Sequence, residues 1–193
     1  MKLIPALLCA AGAALASTAA AAPVTYDIDP SHTYPSFEAD HMGGLSTWRG
    51  KFNQSSGVIV LDREARAGTI DVTVQIASID FGHDEMNRHA VAADIFDAAR
   101  YPTATFKGRF TKFDGSRPEE AVGEFTLRGV TRTLKLDIDD FKCIQHPMEK
   151  REACGADVST SFNRGDYGLD FGLDMGFKPK VELEIQVEAL RRP

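Results

Sequence analysis

Apolar and polar residues alternate with a period of two along several stretches of the chain. This period is typical of β-strands that have one buried face and one solvated face. The cleanest alternation covers residues 181–188, and residues 70–76 show the same pattern with valine and isoleucine at every second position. Further stretches of this kind cover residues 37–41, 48–61, 104–113 and 156–162. The sequence therefore predicts a chain made mainly of strands.

Residues 122–141 contain two such strands on either side of a tight turn. Arg128-Gly129 is the predicted turn, because glycine supplies the positive φ that two-residue hairpin loops need. In the register set by this turn, Phe125 lies opposite Arg132 and the apolar faces of both strands coincide. Arg132 is then the one cation on an apolar stripe.

Two segments break the strand pattern. Residues 83–100 place Met86 and Ala90 at helical spacing, which predicts a short helix or two. Tyr101-Pro102 ends this segment, because a residue before proline is pushed out of the helical region. Residues 163–179 are rich in glycine and predict a long irregular connection.

The fold class expected from these elements is all-β, with about eight strands and one short helical insertion. A closed antiparallel barrel is favoured over a sandwich, because every strand has only one apolar face. At 193 residues the chain has the length of a single domain. A barrel of about eight strands is either filled by its own side chains or just wide enough for one slender ligand.

The first residues have the pattern of a secretory signal peptide. Lys2 is followed by an apolar run over residues 3–15 and then by small residues up to Ala22. We predict cleavage after Ala21, so that residues 22–193 form the mature, periplasmic domain. A membrane anchor is the alternative, but the apolar run is too short to span a bilayer.

The cysteine count fits export. Cys9 leaves with the signal peptide, and Cys143 and Cys154 remain. Exported proteins keep disulfides, so we predict that these two cysteines are joined. A zinc site that includes His146 is the alternative, but a zinc ion needs a fourth ligand, so no metal is expected.

Charge and motifs limit the function. The net charge of −6, without a basic stripe, argues against nucleic acid as a partner and disfavours sustained docking on an anionic bilayer. The chain has no Gly-x-Ser-x-Gly elbow, phosphate-binding glycine loop or His-Glu-x-x-His motif, so we expect no enzyme.

The remaining candidates for polar chemistry are two histidines and an arginine. His32 and His41 are expected to be buried, hydrogen-bonded histidines, because catalysis needs a positioned carboxylate and a cleft. Arg132 and His41 are candidates for contact with the polar head of a ligand, since arginine pairs well with phosphate or carbonyl oxygens. For Arg132, a side chain that reaches solvent at the rim is the alternative.

Short motifs follow one another in order over nearly the whole mature chain. They are DPSHT at 29–33, GKF at 50–52, DIFD at 94–97, YPTATF at 101–106, GEFTLRGVT at 123–131, NR at 163–164 and YG at 167–168. Together they resemble the YceI-like family of exported polyisoprenoid-binding proteins. The family's Arg-Asp before its His-Leu pair is replaced here by Met86-Asn87 before His89-Ala90.

The resemblance implies an extended, lipocalin-like antiparallel barrel that binds a long isoprenoid chain, either a polyprenyl lipid or an isoprenoid quinone. The lipid would be bound non-covalently, and no cofactor is expected. Transient contact with a membrane or with a membrane redox protein is compatible with the resemblance, and so is the formation of an oligomer. The residues expected to line the barrel are Phe37, Phe52, Ile59, Val74, Ile76, Phe106, Phe125, Leu127, Leu136, Phe162, Leu183 and Ile185. The alternative is a non-catalytic accessory or interaction protein of a membrane redox or stress-response system, with a packed core.

Overall fold

The computed structural model describes residues 22–193, so the predicted signal peptide, residues 1–21, lies outside the described residues. The strands of the described part are β1 (Val24–Ile28), β2 (Tyr34–His41), β3 (Ser46–Phe52), β4 (Ser55–Asp62), β5 (Ala67–Gln75), β6 (Ile79–Asp80), β7 (Thr103–Asp114), β8 (Arg117–Leu127), β9 (Val130–Gln145), β10 (Glu152–Asn163) and β11 (Lys180–Arg191). One α-helix, α1 (Asp84–Ala90), and the 3-10 turns Ile76–Ser78, Arg164–Tyr167 and Leu173–Met175 complete it.

Eight of the strands within residues 22–193 form a closed antiparallel barrel in the order β1, β4, β5, β7, β8, β9, β10 and β11, and β11 returns to β1. β11 is long enough to pair with two strands end to end. Ala189 pairs with Ile28 of β1, and Leu183 pairs with Phe37 of β2. β2, β3 and β6 therefore continue from β11 as a side sheet. The expected all-β barrel with one helical insertion is confirmed.

The two ends of the barrel differ in what covers them. The base carries the short turns at residues 63–66, 115–116 and 146–151. The rim carries the turn between β8 and β9, the turn between β2 and β3, and the segments 76–102 and 163–179. No helix of the described residues is long and apolar enough to cross a membrane.

The turn between β8 and β9 has the predicted form. Arg128 and Gly129 have φ values of 50° and 75°, and Phe125 pairs with Arg132, so the predicted register is confirmed. The guanidinium group of Arg128 donates hydrogen bonds to the backbone carbonyls of Gly168 and Ala93. A turn residue thus ties both long rim segments to the barrel.

The base is closed by a compact cluster of buried residues around Tyr26, Leu61 and Ala189. Cys143 and Cys154 face each other on β9 and β10, and a disulfide joins them with their Cα atoms 4.0 Å apart. Bridging two neighbouring strands in this way fixes their spacing at the base.

Candidate functional site

The interior of the barrel contains a cavity of about 300 Å³, with walls formed by side chains from the eight barrel strands, from β2 and β3 of the side sheet, and from the rim segments. This volume is at the lower end of the roughly 300–1,000 Å³ that is usual for ligand pockets. Almost all wall side chains are apolar. At the rim the cavity reaches solvent, where its wall residue Phe171 is exposed.

All but one of the residues expected to line the barrel lie on the cavity wall. They are Phe37, Phe52, Ile59, Val74, Phe106, Phe125, Leu127, Leu136, Phe162, Leu183 and Ile185. They come together because strict alternation on antiparallel strands in register directs every second side chain into the barrel.

Ile76 is the exception, and the prediction that it lines the cavity is wrong. It begins a 3-10 turn instead of continuing β5. Its backbone N–H still donates to the carbonyl of Pro102 at 2.9 Å, but proline has no N–H to return a hydrogen bond, so the β5–β7 pairing ends here. The turn takes its side chain out of the alternation. Ile76 is buried in a cluster with Ala104 and Tyr167 that packs at the rim end of the barrel.

Two groups of wall residues are not among those predicted to line the barrel. Ile70, Val72, Leu134, Val158, Val181 and Val187 are strand residues of the inward face. The same alternation could have found these. Met86, Ile95, Phe96, Leu169, Phe171 and Phe177 come from the rim segments. These segments have no periodicity that shows which side chains turn inward.

His41 lies on the cavity wall within an aromatic group at the rim. Its ring centroid is 5.2 Å from that of Trp48 and 5.3 Å from that of Phe177. Phe81 packs edge-on against both Trp48 and Phe37, with centroids 5.7 Å and 5.4 Å apart. Edge-to-face contacts of this kind stabilise the packing of aromatic rings. The side sheet and the neighbouring rim segments thus place a group of packed aromatic rings along the cavity wall at the rim.

Arg132 does not line the cavity, contrary to its selection as a head-group contact. Its side chain is exposed, and its Nε donates to the backbone carbonyl of Asp166 at 3.1 Å. Arg132 is the third residue of β9, close to the β8–β9 turn at the rim, so its side chain reaches over the 3-10 turn Arg164–Tyr167. The alternative of an arginine that reaches solvent at the rim describes it correctly.

Arg164 is the only lysine or arginine on the cavity wall among residues 22–193. One of its terminal nitrogens, Nη1, donates to the carbonyls of Leu169 and Phe171, at 2.6 Å and 2.8 Å. Burial lowers the pKa of Arg164, and the nearby carboxylates of Asp170 and Asp40 oppose this effect. Arginine remains charged in proteins even when it is partly buried, so the rim end of the cavity holds a half-buried cation.

Asp40 is the acidic residue of the cavity wall in the described part of the chain. Its Oδ2 accepts hydrogen bonds from the backbone N–H groups of Lys178 and Gly43, both at 2.9 Å. The Lys178 N–H lowers the pKa of Asp40 most strongly, with help from the N–H of Gly43. These hydrogen bonds favour the ionised form of Asp40, and its carboxylate holds the β2–β3 turn against the segment before β11.

The other histidines lie apart from the cavity. His32 Nδ1 is 2.8 Å from the Asp29 carboxylate, and this partner raises the pKa of His32. The side chain is exposed, so the expectation of a buried histidine is wrong here. His146 lies in the β9–β10 turn, where its Nδ1 accepts from the backbone N–H of Glu149 at 3.0 Å.

Met86 and Asn87, at the positions where the resemblance leads us to expect Arg-Asp, lie in α1 and make different contacts. Asn87 accepts from the backbone N–H of Phe81 at 2.8 Å and donates to Asp80 Oδ1 at 3.2 Å. Met86 lies on the cavity wall. Asn87 therefore fixes the helix to β6, and Met86 adds an apolar side chain to the cavity at the rim.

Comparison with known proteins gives concordant matches. The YceI-like domain matches residues 26–189. A UPF0312 protein of Shewanella sp. (strain ANA-3) is 32% identical over 184 residues, which cover 94% of either chain. The crystal structure of Burkholderia cenocepacia BcnA superposes with a TM-score of 0.68 at 20% identity, over 83% of this chain and 98% of that one. A polyisoprenoid binding domain from Saccharophagus degradans superposes with a TM-score of 0.62 at 14% identity, over 88% of this chain and 99% of that one.

Proposed function

Because this chain belongs to the YceI-like domain family, we propose that it is a periplasmic, non-catalytic carrier for one long-chain isoprenoid lipid. The ligand is a polyprenyl lipid or an isoprenoid quinone, bound without covalent attachment. The observation that carries the proposal is the apolar cavity of about 300 Å³ inside the barrel. The signal-peptide pattern of residues 1–21 supports the periplasmic location.

The chemistry of the cavity wall suits a hydrocarbon chain. Burial of a methylene-sized group contributes about 0.8 kcal/mol, so one five-carbon isoprene unit contributes ~3–4 kcal/mol before the entropy of binding is subtracted. A ligand of several units needs no polar recognition motif along its tail. Aromatic and branched side chains from all eight strands of the barrel meet this requirement along the length of the cavity.

The polar head of the ligand belongs at the rim. Arg164, Asp40 and His41 lie on this part of the wall. Nη1 of Arg164 is engaged by two backbone carbonyls, and the rest of the guanidinium group is available to donate to an oxygen of the head. This orientation leaves the tail to enter the barrel towards the base.

Lipid exchange requires transient contact with a membrane, and the rim has apolar side chains suited to it. Met42, Leu45, Phe171 and Met175 are 56%, 75%, 40% and 59% exposed. They lie on two neighbouring loops, which the hydrogen bond from the Lys178 N–H to Asp40 holds together. Exposed apolar side chains at the opening of a lipid cavity favour contact with a bilayer.

The packed-core alternative requires an interior filled by the protein's own side chains. The cavity is inconsistent with that requirement. Interaction with a membrane redox protein is compatible with a carrier, because such a protein is one place where a quinone is received or delivered.

The carrier function is tested by extracting gently purified protein with solvent and identifying the lipid by mass spectrometry. The wild type should contain an isoprenoid. I185W should contain none, because Ile185 lies on the cavity wall and a tryptophan there blocks the bore. E184W is the matched control, since Glu184 is the neighbouring residue of β11 and is exposed. An empty wild type, or equal lipid content in both variants, would contradict the proposal.

A further inference from the structure

A second, smaller void lies between the cavity and the base. Its volume is about 70 Å³, and apolar side chains and backbone line it throughout. Five side chains border both spaces: Ile59, Ile70, Leu136, Val158 and Val187. We call these five residues the partition, because they lie between the cavity and the void.

The partition is built from five strands, β4, β5, β9, β10 and β11. Ile59 and Ile70 face each other directly across the β4–β5 pair. Four of the five side chains are β-branched, and such side chains have restricted rotation about χ1. The partition is therefore a rigid part of the barrel wall and differs from the exposed residues of the rim loops.

We propose that the partition sets the maximum tail length of the bound isoprenoid. The terminal unit of the tail stops against these five side chains, and the void beneath them stays empty in the wild type. The inference rests on the proposed carrier function, because a limit on tail length has meaning only if a tail enters the barrel.

Truncation of the partition should lengthen the accepted tail by about one isoprene unit. The void of about 70 Å³ is a little more than twice the roughly 30 Å³ that a water molecule occupies in the liquid. I70A removes three more carbon atoms at the top of this void. The void and the space that I70A leaves empty are together on the order of the volume of one five-carbon isoprene unit.

The test measures affinity of lipid-free protein for isoprenoid quinones that share one head group and differ in the number of isoprene units. Wild-type affinity should rise with each unit and then stop rising at a defined length. I70A should continue to gain for one unit more, with about tenfold tighter binding at that length. L136A gives a second truncation if I70A fails to fold, which thermal unfolding will show.

A filling variant serves as the matched control. Ala121 borders the void and not the cavity, and it pairs with Leu136. A121L should leave the wild-type length limit unchanged, and A121L/I70A should return the limit of I70A to that of the wild type. A shorter limit in A121L alone would overturn the inference, because the tail would then already occupy the void.

Failure of this inference differs from failure of the carrier function. If the wild type binds quinones but I70A and L136A keep its length limit, the partition does not set tail length and the carrier function stands. If the wild type binds neither an isoprenoid quinone nor a polyprenyl lipid of any length, both proposals are overturned together.

Discussion

The hydroxyl group of Tyr26 donates a hydrogen bond to the carboxylate of Glu152, and this contact joins β1 to the beginning of β10 at the base. Tyr26 is only 2% exposed. The second carboxylate oxygen of Glu152 lies 3.4 Å from Nη2 of Arg63, which follows β4. Three parts of the barrel wall thus meet at one polar contact beneath the apolar void.

We expect Tyr26 to make the stability of the protein fall at alkaline pH. Burial, followed by the Glu152 carboxylate, raises the pKa of Tyr26 to about 12. The pKa of tyrosine in an unfolded chain is about 10. The stability contributed by protonated Tyr26 is therefore fully present below pH ~10 and is lost as pH rises towards about 12.

Urea unfolding of Y26F measures this contribution. At pH 7 the variant should be less stable than the wild type by about 1–2 kcal/mol, because Glu152 loses a buried donor. The difference should shrink above pH ~10. Y34F is the control, since the exposed hydroxyl of Tyr34 donates to the carbonyl of Ser31. A difference that stays constant with pH would contradict the assignment.

The disulfide between Cys143 and Cys154 should stabilise the barrel by restricting the unfolded chain. The two residues are 11 positions apart, and a loop of this size corresponds to about 2–3 kcal/mol. C143A/C154A should lose this amount in urea unfolding, and added reductant should have no further effect on the variant. Reductant that destabilises the wild type and the double variant equally would show that another group is responsible.

Much of the barrel could be predicted from the sequence, because its strands have one buried and one solvated face. β11 and β5 show this alternation directly, and Gly129 marks the hairpin between β8 and β9. β1 was missed because its five residues, Val24–Ile28, give too short a pattern. β6, with two residues, gives no pattern at all.

The candidate site could be predicted only where strands form it. Inward residues such as Phe125 and Leu183 follow from the period of two. Arg164 and Phe177 lie in a glycine-rich segment, where turns and not a repeating period decide which side chains face the cavity. Ile76 was misplaced for a related reason, since the 3-10 turn Ile76–Ser78 begins where β5 meets Pro102, which has no N–H to continue the pairing.

Arg164 should bind the oxygenated head of the ligand and contribute nothing to the tail. R164Q should weaken binding of an isoprenoid quinone by ~10–100-fold, the range expected for one charge-assisted hydrogen bond. Binding of squalene, an isoprenoid hydrocarbon without a polar head, should be unchanged. R132Q is the control, because Arg132 lies outside the cavity and contacts Asp166. Equal losses for quinone and squalene in R164Q would indicate that the residue only supports the rim segment.

The apolar residues of the rim should speed the exchange of ligand with a bilayer. In M42S/L45S/M175S, transfer of an isoprenoid from phosphatidylcholine vesicles to lipid-free protein should be about tenfold slower, because less apolar surface enters the membrane. Affinity for the same isoprenoid in detergent solution should stay the same, since the three side chains are not on the cavity wall. Neutral vesicles are the appropriate donor, because the net charge of −6 opposes contact with anionic ones.

The base of the barrel provides the matched control for the rim. Ile144 and Met148 are 46% and 80% exposed, and they lie at the end of β9 and in the turn that follows it, on the base side. I144S/M148S removes a similar kind of exposed apolar surface at the end away from the opening. Its transfer rate should equal that of the wild type. If both variants slow transfer equally, the effect comes from general surface hydrophobicity, and entry through the rim is contradicted.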